Sequence, residues 1–396
     1  MRARVAFVII CAMTINDYIY MDCAASNPDG RFAVVDEFAN PSSTHSAGRD
    51  SFKVLDNARE TLMHCVGAKR PSEIVFTSGA TEANNIAIFG IARAVRRAKE
   101  AEGFSGKLRV ITSAIEHESV LKPCEQLQRE GFDVVFLPVD EHGFISQADF
   151  KNALDDSCVL CTIQLANSEV GVIQDLTPLV KSAHEAGAYF HTDVVGAFGK
   201  IPLNLQYYEV DAASFSGHKI GAQKGIGALY VKAGTPIEPI VFGSGQEGGL
   251  RSGTQNVAGA AEMAKAANHL NSMIFEEEDR LRKIRDYIYD KVHTLPGVHA
   301  TVLEDNSTNH KYLPNLLHIY FENKNNQDLI LAYDKLGIEI SGGPACQSSH
   351  ADEPSYVLAA LGMAPKNARG ALRISFGYPT TMEFADKFIK ATKELV

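Results

Sequence analysis

The most reactive combination of residues in the chain is a lysine with two hydrogen-bond donors beside it. Lys219 follows the apolar run DAASF, and Ser216 and His218 stand just before it in the segment SGHK. A lysine in a partly buried site loses its proton more readily than one in water, and its neutral amine can attack an aldehyde. Ser216 and His218 can donate to a phosphate. A surface lysine without a catalytic role would give the same short pattern, so the segment needs support from elsewhere.

A second segment, FTSGATEANN, is typical of an anion site. Gly79, Ala80 and Thr81 stand between an apolar run and a helical pattern. Backbone N–H groups at the beginning of a helix, together with the helix dipole, attract a phosphate, and Thr81 adds a hydroxyl. The same residues would also form an ordinary helix N-cap. Both interpretations stay open for this segment taken alone.

An acid and two side chains that can cover an aromatic ring complete the set. Asp193 ends the run YFHTD, where a carboxylate can keep a pyridine nitrogen protonated. Val195, two residues on, would point to the same side of an extended chain and press on one ring face, and His117 of AIEHES could cover the other. Together these groups meet the requirements of pyridoxal phosphate. Singly, Asp193 and His117 would more often be caps or satisfied polar residues.

The elements that carry these residues form a regular series. From about residue 72, short β-branched runs such as EIVF, LRVITS, DVVFLPV, VLCTIQL, AYFHTD, DAASFS and IGALYV alternate with amphipathic stretches. This alternation predicts an α/β fold with a mostly parallel sheet covered by helices on both faces. Ligands of such sheets bind beyond the carboxyl ends of the strands, where the polar motifs fall.

The pattern changes after a helical stretch from about residue 258 to 291. Strand candidates VHATVLE, LPNLLHIYF, IEIS and LRISF then alternate with helices. We therefore expect a large cofactor-binding domain over residues 34–257 and a smaller α+β domain over 258–396. Residues 1–33 would be an N-terminal extension and a segment packed on the smaller domain.

Composition limits the classes of function. The 396 residues are 45% hydrophobic, enough for two cores, and carry a net charge of -10, which gives no reason to expect nucleic acid or an anionic membrane as a ligand. Seven irregularly spaced cysteines do not suit a disulfide framework, which favours a reducing cytoplasm. Cys158 and Cys161 form a lone CxxC without a second pair at zinc spacing, so we expect them buried in a strand and no metal.

The start of the chain, MRARVAFVIICAM, has the basic residues and the short apolar run of a signal peptide. It merges with IYMD without a clear small-residue cleavage site. We interpret it as an irregular extension or an early start codon, in agreement with a cytoplasmic location. No other run approaches the 20 or so apolar residues that a membrane span needs.

In their order along the chain, the motifs resemble those of the cysteine desulfurases of the class V aminotransferase group. The resemblance runs from about Tyr20 to the C-terminus through YMDCAASNP, NPSSTHSAG, FTSGATEANN, EHES, ANSEVGVIQ, HTD, SGHK, GQEGGLRSGTQN, GGPAC, EPSYVLAALG and RISFGYPTT. It implies the fold type I of pyridoxal phosphate enzymes. It also implies the following cofactor residues: Lys219 as the Schiff-base lysine, Asp193 on the pyridine nitrogen, His117 and Val195 on the ring, and Ala80, Thr81, Ser216 and His218 at the phosphate.

The same resemblance assigns residues to the subunit interface and to the substrate. Thr254 of RSGT would reach the phosphate of a neighbouring subunit, which implies a homodimer. Arg373 would pair with the carboxylate of L-cysteine, since its planar fork gives two parallel hydrogen bonds, and Asn167 would hold that carboxylate or the ring oxygen. Cys346, in the Gly- and Ser-rich stretch ISGGPACQSSHADEPS, would take the sulfur as a persulfide and leave L-alanine.

One position departs from the family pattern. Gly196 stands three residues after Asp193, where the family usually has a glutamine that donates to the phenolic oxygen of the cofactor. Asn167 would then be the main remaining partner of that oxygen. We expect the protonation and absorption of the bound cofactor to differ from those of a glutamine-bearing relative.

Other activities remain open from sequence. A selenocysteine lyase shares the lysine site and a loop cysteine, a cysteine lyase would release sulfide, and a noncatalytic protein could keep the fold to bind a sulfur carrier. The acceptor of the sulfur is equally open between an iron–sulfur scaffold, a tRNA-thiolation relay and a DNA-modification pathway.

Overall fold

The computed structural model describes residues 19–27, 39–303, 311–343 and 355–396. The strands of these residues are β1 to β12: Ile19–Tyr20, Ile74–Thr77, Arg109–Ser113, Asp133–Leu137, Cys158–Thr162, Tyr189–Asp193, Ala212–Ser216, Gly227–Val231, Val298–Ala300, Leu316–Phe321, Ile338–Glu339 and Ala371–Ser375. The helices are α1 to α12: Ser46–Val66, Ala80–Ala101, Glu118–Arg129, Gln147–Ala153, Leu176–Glu185, Leu205–Tyr208, Val257–Ser272, Ile274–Val292, Asn326–Lys335, Tyr356–Ala360, Pro365–Ala368 and Met382–Leu395.

The central sheet has seven strands in the order β2-β8-β7-β6-β5-β3-β4. Strand β8 runs antiparallel to both of its neighbours, and all other neighbouring strands are parallel. The predicted mostly parallel sheet is therefore confirmed. Because β3, β5, β6 and β7 run in one direction, the segments that follow them meet at one edge, and these segments carry most of the predicted site residues.

Two apolar cores lie on the two faces of this sheet, which explains why its strands read as continuous apolar runs. In β5, all five residues are buried, with Val159 and Leu160 in the core under α2 and α3. Cys158 and Cys161 belong to the core on the other face, against α1, α5 and α7. The expectation that this CxxC pair is buried in a strand is confirmed, and both thiols are free.

A second sheet and core follow along the chain. Strands β12, β10 and β9 form an antiparallel sheet in that order, and β1 pairs in parallel with β11. Helices α8, α9 and α12 bury apolar residues in this core, and the first of these along the chain is Leu281 of α8. The segment that begins with β1 lies against it too, through an Asp22–Ser375 bridge.

The single helical stretch expected from about residue 258 to 291 is two helices. Met273, with φ −126°, leaves helical geometry between α7 and α8. The two helices serve different cores: α7 packs against α1 and buries Met263 and Leu270 in the first core, whereas α8 buries Leu281 and Ile288 in the second. The division into domains at 257/258 stays a prediction. In the structure, α7 still belongs to the first core, and α8 belongs to the second.

Within the described part of the chain, none of the helices combines the length and the apolar character required to cross a lipid bilayer.

Candidate functional site

Nine of the predicted site residues line one pocket at the carboxyl edge of the central sheet. They are Ala80, Thr81, His117, Asp193, Val195, Ser216, His218, Lys219 and Arg373. Asn167 and Thr254 do not line it, and Cys346 lies outside the described residues. The pocket therefore brings together a lysine, an acid, an imidazole, a helix N-terminus and an arginine.

Lys219 ends a single 3-10 turn, Gly217–Lys219, that follows β7. Its ammonium donates to the carbonyl oxygens of Ala24 at 2.5 Å and Ala25 at 3.0 Å. The N–H of Asn27 donates in turn to the carbonyl of His218 at 3.1 Å. The N-terminal segment of residues 19–27 thus crosses the lysine turn and holds the amine at the edge of the pocket.

The neighbour of the lysine, His218, has an unsatisfied polar atom. Its Nδ1 is buried and has no hydrogen-bond partner among the described residues. Burial lowers the pKa of His218 to about 4, and the charges of Lys219 and Lys224 act in the same direction. The imidazole is therefore neutral at physiological pH. A buried nitrogen without a partner suits a ligand that can complete its hydrogen bonding, such as a phosphate.

The N-terminus of α2 borders the pocket at the predicted phosphate position. Gly79 is the N-cap, and Ala80 and Thr81 begin the helix. A side chain at Gly227 of β8 would meet the Cα of Gly79 at 2.5 Å, so glycine is required where the two backbones touch. Burial alone would raise the pKa of the Glu82 carboxyl, but hydrogen bonds from Ser78 and Arg251 hold it below its usual value.

Asp193 is fixed from two sides at the end of β6. Its Oδ1 accepts from the N–H of Val195 at 2.9 Å, and its Oδ2 accepts from Nδ2 of Asn84 at 2.8 Å. The same Asn84 amide donates to Oγ of Ser119 at 2.8 Å, and this hydroxyl contacts Nδ1 of His117 at 2.7 Å. A continuous chain of hydrogen bonds therefore joins the acid to the imidazole.

His117 is also the N-cap of α3, where its Nδ1 accepts from the N–H of Ser119 at 3.1 Å. Glu116, just before it, is fully buried and accepts from Ser113 Oγ at 2.6 Å and from the N–H of Gln164. Burial raises the pKa of Glu116 to about 8, against the hydrogen bonds from Ser113 and Gln164, and the charge of Asp193 adds to the rise.

Sequence reasoning missed three of these residues. Asn84, Glu116 and Gln164 are polar and at most 5% exposed. Gln164 lines the pocket, Asn84 donates to Asp193, and Glu116 accepts from the N–H of Gln164. Asn84 follows Thr81 by one helical turn, and Gln164 follows β5 as Asp193 ends β6. Helical spacing and position after a parallel strand were thus the available signals.

Asn167 has a different environment from the one expected. Its Oδ1 accepts from the N–H groups of Glu169 and Val170 at 2.8 and 2.9 Å, and its Nδ2 donates to the carbonyl of Ile115 at 3.0 Å. The side chain thus stabilises the turn after β5. A contact from it to a substrate or a ring oxygen stays a prediction.

Gly196 has no room for a side chain. A Cβ at this position would lie 2.4 Å from the carbonyl oxygen of Ala166. The departure from the family pattern at this residue is therefore built into the backbone packing between the turns that follow β5 and β6.

Comparisons with known proteins agree on one family. The model of the aminotransferase class-V family matches residues 32–388. The cysteine desulfurase IscS of Dictyoglomus turgidum is 39% identical over 373 residues, 92% of this chain and 91% of that protein, and the IscS of Methanosarcina thermophila is 37% identical over 390 residues, 97% and 93%.

Two solved structures extend the similarity to the fold. A NifS-like protein superimposes with a TM-score of 0.85 at 32% identity, covering 96% of this chain and 99% of its own. SspA in complex with cysteine gives a TM-score of 0.74 at 32% identity, covering 90% and 98%. The family model covers most of the chain and each of these relatives covers at least 90% of it, so the chain belongs to the class-V aminotransferase family.

Proposed function

We propose that the protein is a pyridoxal phosphate-dependent cysteine desulfurase that transfers the sulfur of L-cysteine to Cys346 and releases L-alanine. The observation that carries this proposal is the meeting of Lys219 and Arg373 in one pocket with Asp193. A lysine and an acid suit the cofactor, and an arginine beside them suits the carboxylate of an amino acid. The naming of the relatives as cysteine desulfurases supports the choice of substrate.

The residues present fit the cofactor. The neutral His218 with its unpartnered Nδ1, the hydroxyl of Ser216 and the N-terminus of α2 at Ala80 and Thr81 would hold its phosphate. Asp193 would bind the pyridine nitrogen, and His117 and Val195 would lie against the ring. When bound, pyridoxal phosphate supplies an electron sink that stabilises negative charge at the α-carbon of an amino acid.

Arg373 binds and orients the substrate. Its side chain is 2% exposed, and its Nη1 donates to the carbonyl of Ser168 at 3.1 Å. Nε is buried without a hydrogen-bond partner among the described residues, so the guanidinium retains donor capacity in the pocket. A carboxylate bound there would hold the amino acid in the pocket that Lys219 also lines.

Lys219 moves the proton. Its amine, released from the carbonyls of Ala24 and Ala25, accepts the α-proton of the substrate and later returns a proton to it. The Cys346 thiolate attacks the substrate sulfur, the carbon–sulfur bond breaks, and a persulfide forms on the protein. The overall change is balanced: cysteine and a thiol give alanine and a persulfide. An acceptor, an iron–sulfur scaffold or a tRNA-thiolation relay protein, then removes the outer sulfur.

The proposed assembly is a homodimer in which Thr254 completes the phosphate site of the other subunit. Thr254 is exposed and does not line the pocket of its own chain. Ion pairs of Arg251 with Glu82 and of Glu247 with Arg59 hold its loop in place. A cytoplasmic location is also proposed, and the five described cysteines, all free, support a reducing compartment.

The wild type and two variants test the reaction. The wild type should show a visible cofactor band and form alanine and persulfide from L-cysteine, Lys219→Ala should lose the band, and Cys346→Ala should keep the band but form no persulfide. Labelled-sulfur transfer to an added acceptor protein should follow the persulfide. Full sulfur transfer by Cys346→Ala would refute the role of Cys346. Turnover of selenocysteine but not of cysteine would favour a selenocysteine lyase. A wild type without the cofactor band would favour the noncatalytic protein that binds a sulfur carrier.

A mixed dimer tests the interface. Lys219→Ala and Thr254→Ala subunits are each impaired alone, but a mixed dimer contains one site with both native residues. Activity that reappears on mixing supports a shared site. A monomer by light scattering, or mixing without any gain, would contradict it.

A further inference from the structure

The mechanism above leaves a second lysine unused. Lys200 is 6% exposed, although burying an ammonium group costs several kcal/mol unless its partners compensate. Its Nζ donates to the carbonyl oxygen of Lys219 at 3.0 Å. A buried cation is thus attached directly to the backbone of the residue proposed to hold the cofactor.

The turn between residues 194 and 200 directs Lys200 to this position. The N–H of Lys200 donates to the carbonyl of Ala197 at 2.9 Å. Gly199 has φ +71°, and a Cβ there would lie 2.8 Å from Leu270 and 3.0 Å from Ile220, the residue after Lys219. Glycine therefore lets the turn close on the lysine turn. The turn directly follows Asp193, so one segment carries the acid and Lys200, and Lys200 in turn contacts the backbone of Lys219.

Lys200 and Lys219 also line one small cavity. It includes Asn315, and it shares Ser168, Val195 and Gly196 with the cofactor pocket. Two ammonium groups in one poorly hydrated space repel each other, and the loss of one proton relieves this repulsion. A nearby cation is a known means of making a lysine nucleophilic.

We infer that Lys200 is a positioning residue for Lys219, which it affects by two routes. It holds the lysine turn through the carbonyl oxygen, and its positive charge favours the neutral, nucleophilic form of the Lys219 amine. This inference rests on the proposed function, because it takes Lys219 as the cofactor lysine. The other ionisable side chains around the cavity and the pocket are unchanged in the variants below: Cys23, Glu82, His117, Asp193, His218, Lys224 and Arg373.

Three substitutions separate the two routes. Lys200→Arg keeps the charge and a donor, Lys200→Gln keeps a donor without the charge, and Lys200→Met removes both. The pH midpoint of the visible band of the cofactor-loaded protein should rise by at least about half a unit in the Gln and Met variants and stay near the wild-type value in the Arg variant. Capture of pyridoxal phosphate by the apoprotein at pH 7 should be slower by about tenfold per unit of that shift.

The outcomes distinguish this inference from the function on which it rests. A wild type whose band is absent, or persists in Lys219→Ala, would refute the cofactor lysine itself. In the other case, the wild type shows a normal band while Lys200→Gln changes neither the pH midpoint of that band nor the rate at which the apoprotein captures pyridoxal phosphate. This result would overturn the role of the Lys200 charge, even if the melting temperature of the variant falls. If Lys200→Met does not fold, the Gln and Arg pair still decides.

Discussion

The guanidinium of Arg373 donates from Nη2 to Oδ1 of Asp22 at 2.8 Å, so the arginine proposed to bind substrate is held by a carboxylate from the beginning of the chain. Asp22 and the carbonyl of Ser168 each accept from one end of the planar fork, and the remaining N–H groups, including Nε, are left for a ligand. The ion pair thus orients the fork before substrate arrives, which reduces the ordering that binding requires.

Changes at this pair should mainly affect substrate binding. Arg373→Lys loses the planar fork, and the KM for L-cysteine should rise by roughly 100-fold, about 3 kcal/mol, because a lysine cannot make two parallel hydrogen bonds. Asp22→Asn keeps the shape but loses the charge, and KM should rise by roughly three- to tenfold with a smaller change in kcat. Steady-state kinetics measure both. An unchanged KM in Arg373→Lys would contradict the assignment.

A buried ion pair should stabilise the loop that carries Thr254. Arg59 binds Glu247 with two hydrogen bonds of 2.8 Å, and the Glu247 side chain, 1% exposed, also accepts from the N–H of Phe76. Glu247→Gln leaves the arginine charge uncompensated and should lower the free energy of unfolding by about 3 kcal/mol. Urea denaturation measures it. The matched control is Asp50→Asn in the exposed Lys53–Asp50 pair, which should have no measurable effect.

Substitution at Gly196 should test steric packing without backbone strain. In Gly196→Ala, the new Cβ would overlap the carbonyl oxygen of Ala166, so the free energy of unfolding should fall by about 1–3 kcal/mol. Gly187 offers the opposite case, because its φ is +79° and nothing lies within 4 Å of an added Cβ. Gly187→Ala should therefore cost only backbone strain, about 1 kcal/mol. A neutral Gly196→Ala would show that the two turns separate easily.

Glu116 should make stability fall as the pH rises. Burial raises its folded-state pKa from 4.5 to about 8, so between these values the folded protein holds a proton that the unfolded chain has lost. The contribution is fully present below pH 4.5 and is lost as the pH passes through 8. Urea titrations of the apoprotein from pH 5 to 8 should show this decline, and Glu116→Gln should weaken it. A parallel decline in the variant would assign it to other groups.

The sequence was sufficient to predict the central sheet because its strands are buried on both faces and are short apolar runs. It also placed Lys219, Asp193 and His117 at the ligand-binding edge of the sheet, because residues at the carboxyl ends of parallel strands lie at that edge regardless of the loop conformation. Lys200 could not be predicted in this way. Its contact with the Lys219 carbonyl depends on how one turn packs against the end of another strand, and the hydrophobic periodicity of the sequence does not predict such packing. The break at Met273 was missed because both helices are amphipathic, and only the two cores they serve distinguish them.

The N-terminal segment has a consequence for the order of folding. The N–H of Ala24 donates to Oγ of Ser375, 351 residues later, while the carbonyls of Ala24 and Ala25 hold the Lys219 amine. The segment that follows the first described strand thus has a partner that is synthesised long after the central sheet. A ribosome-bound chain can complete the seven-stranded sheet before Ser375 has left the exit tunnel, but residues 22–25 gain this partner only when Ser375 has emerged. The protein should therefore gain its ability to bind cofactor tightly late, after the central sheet has formed.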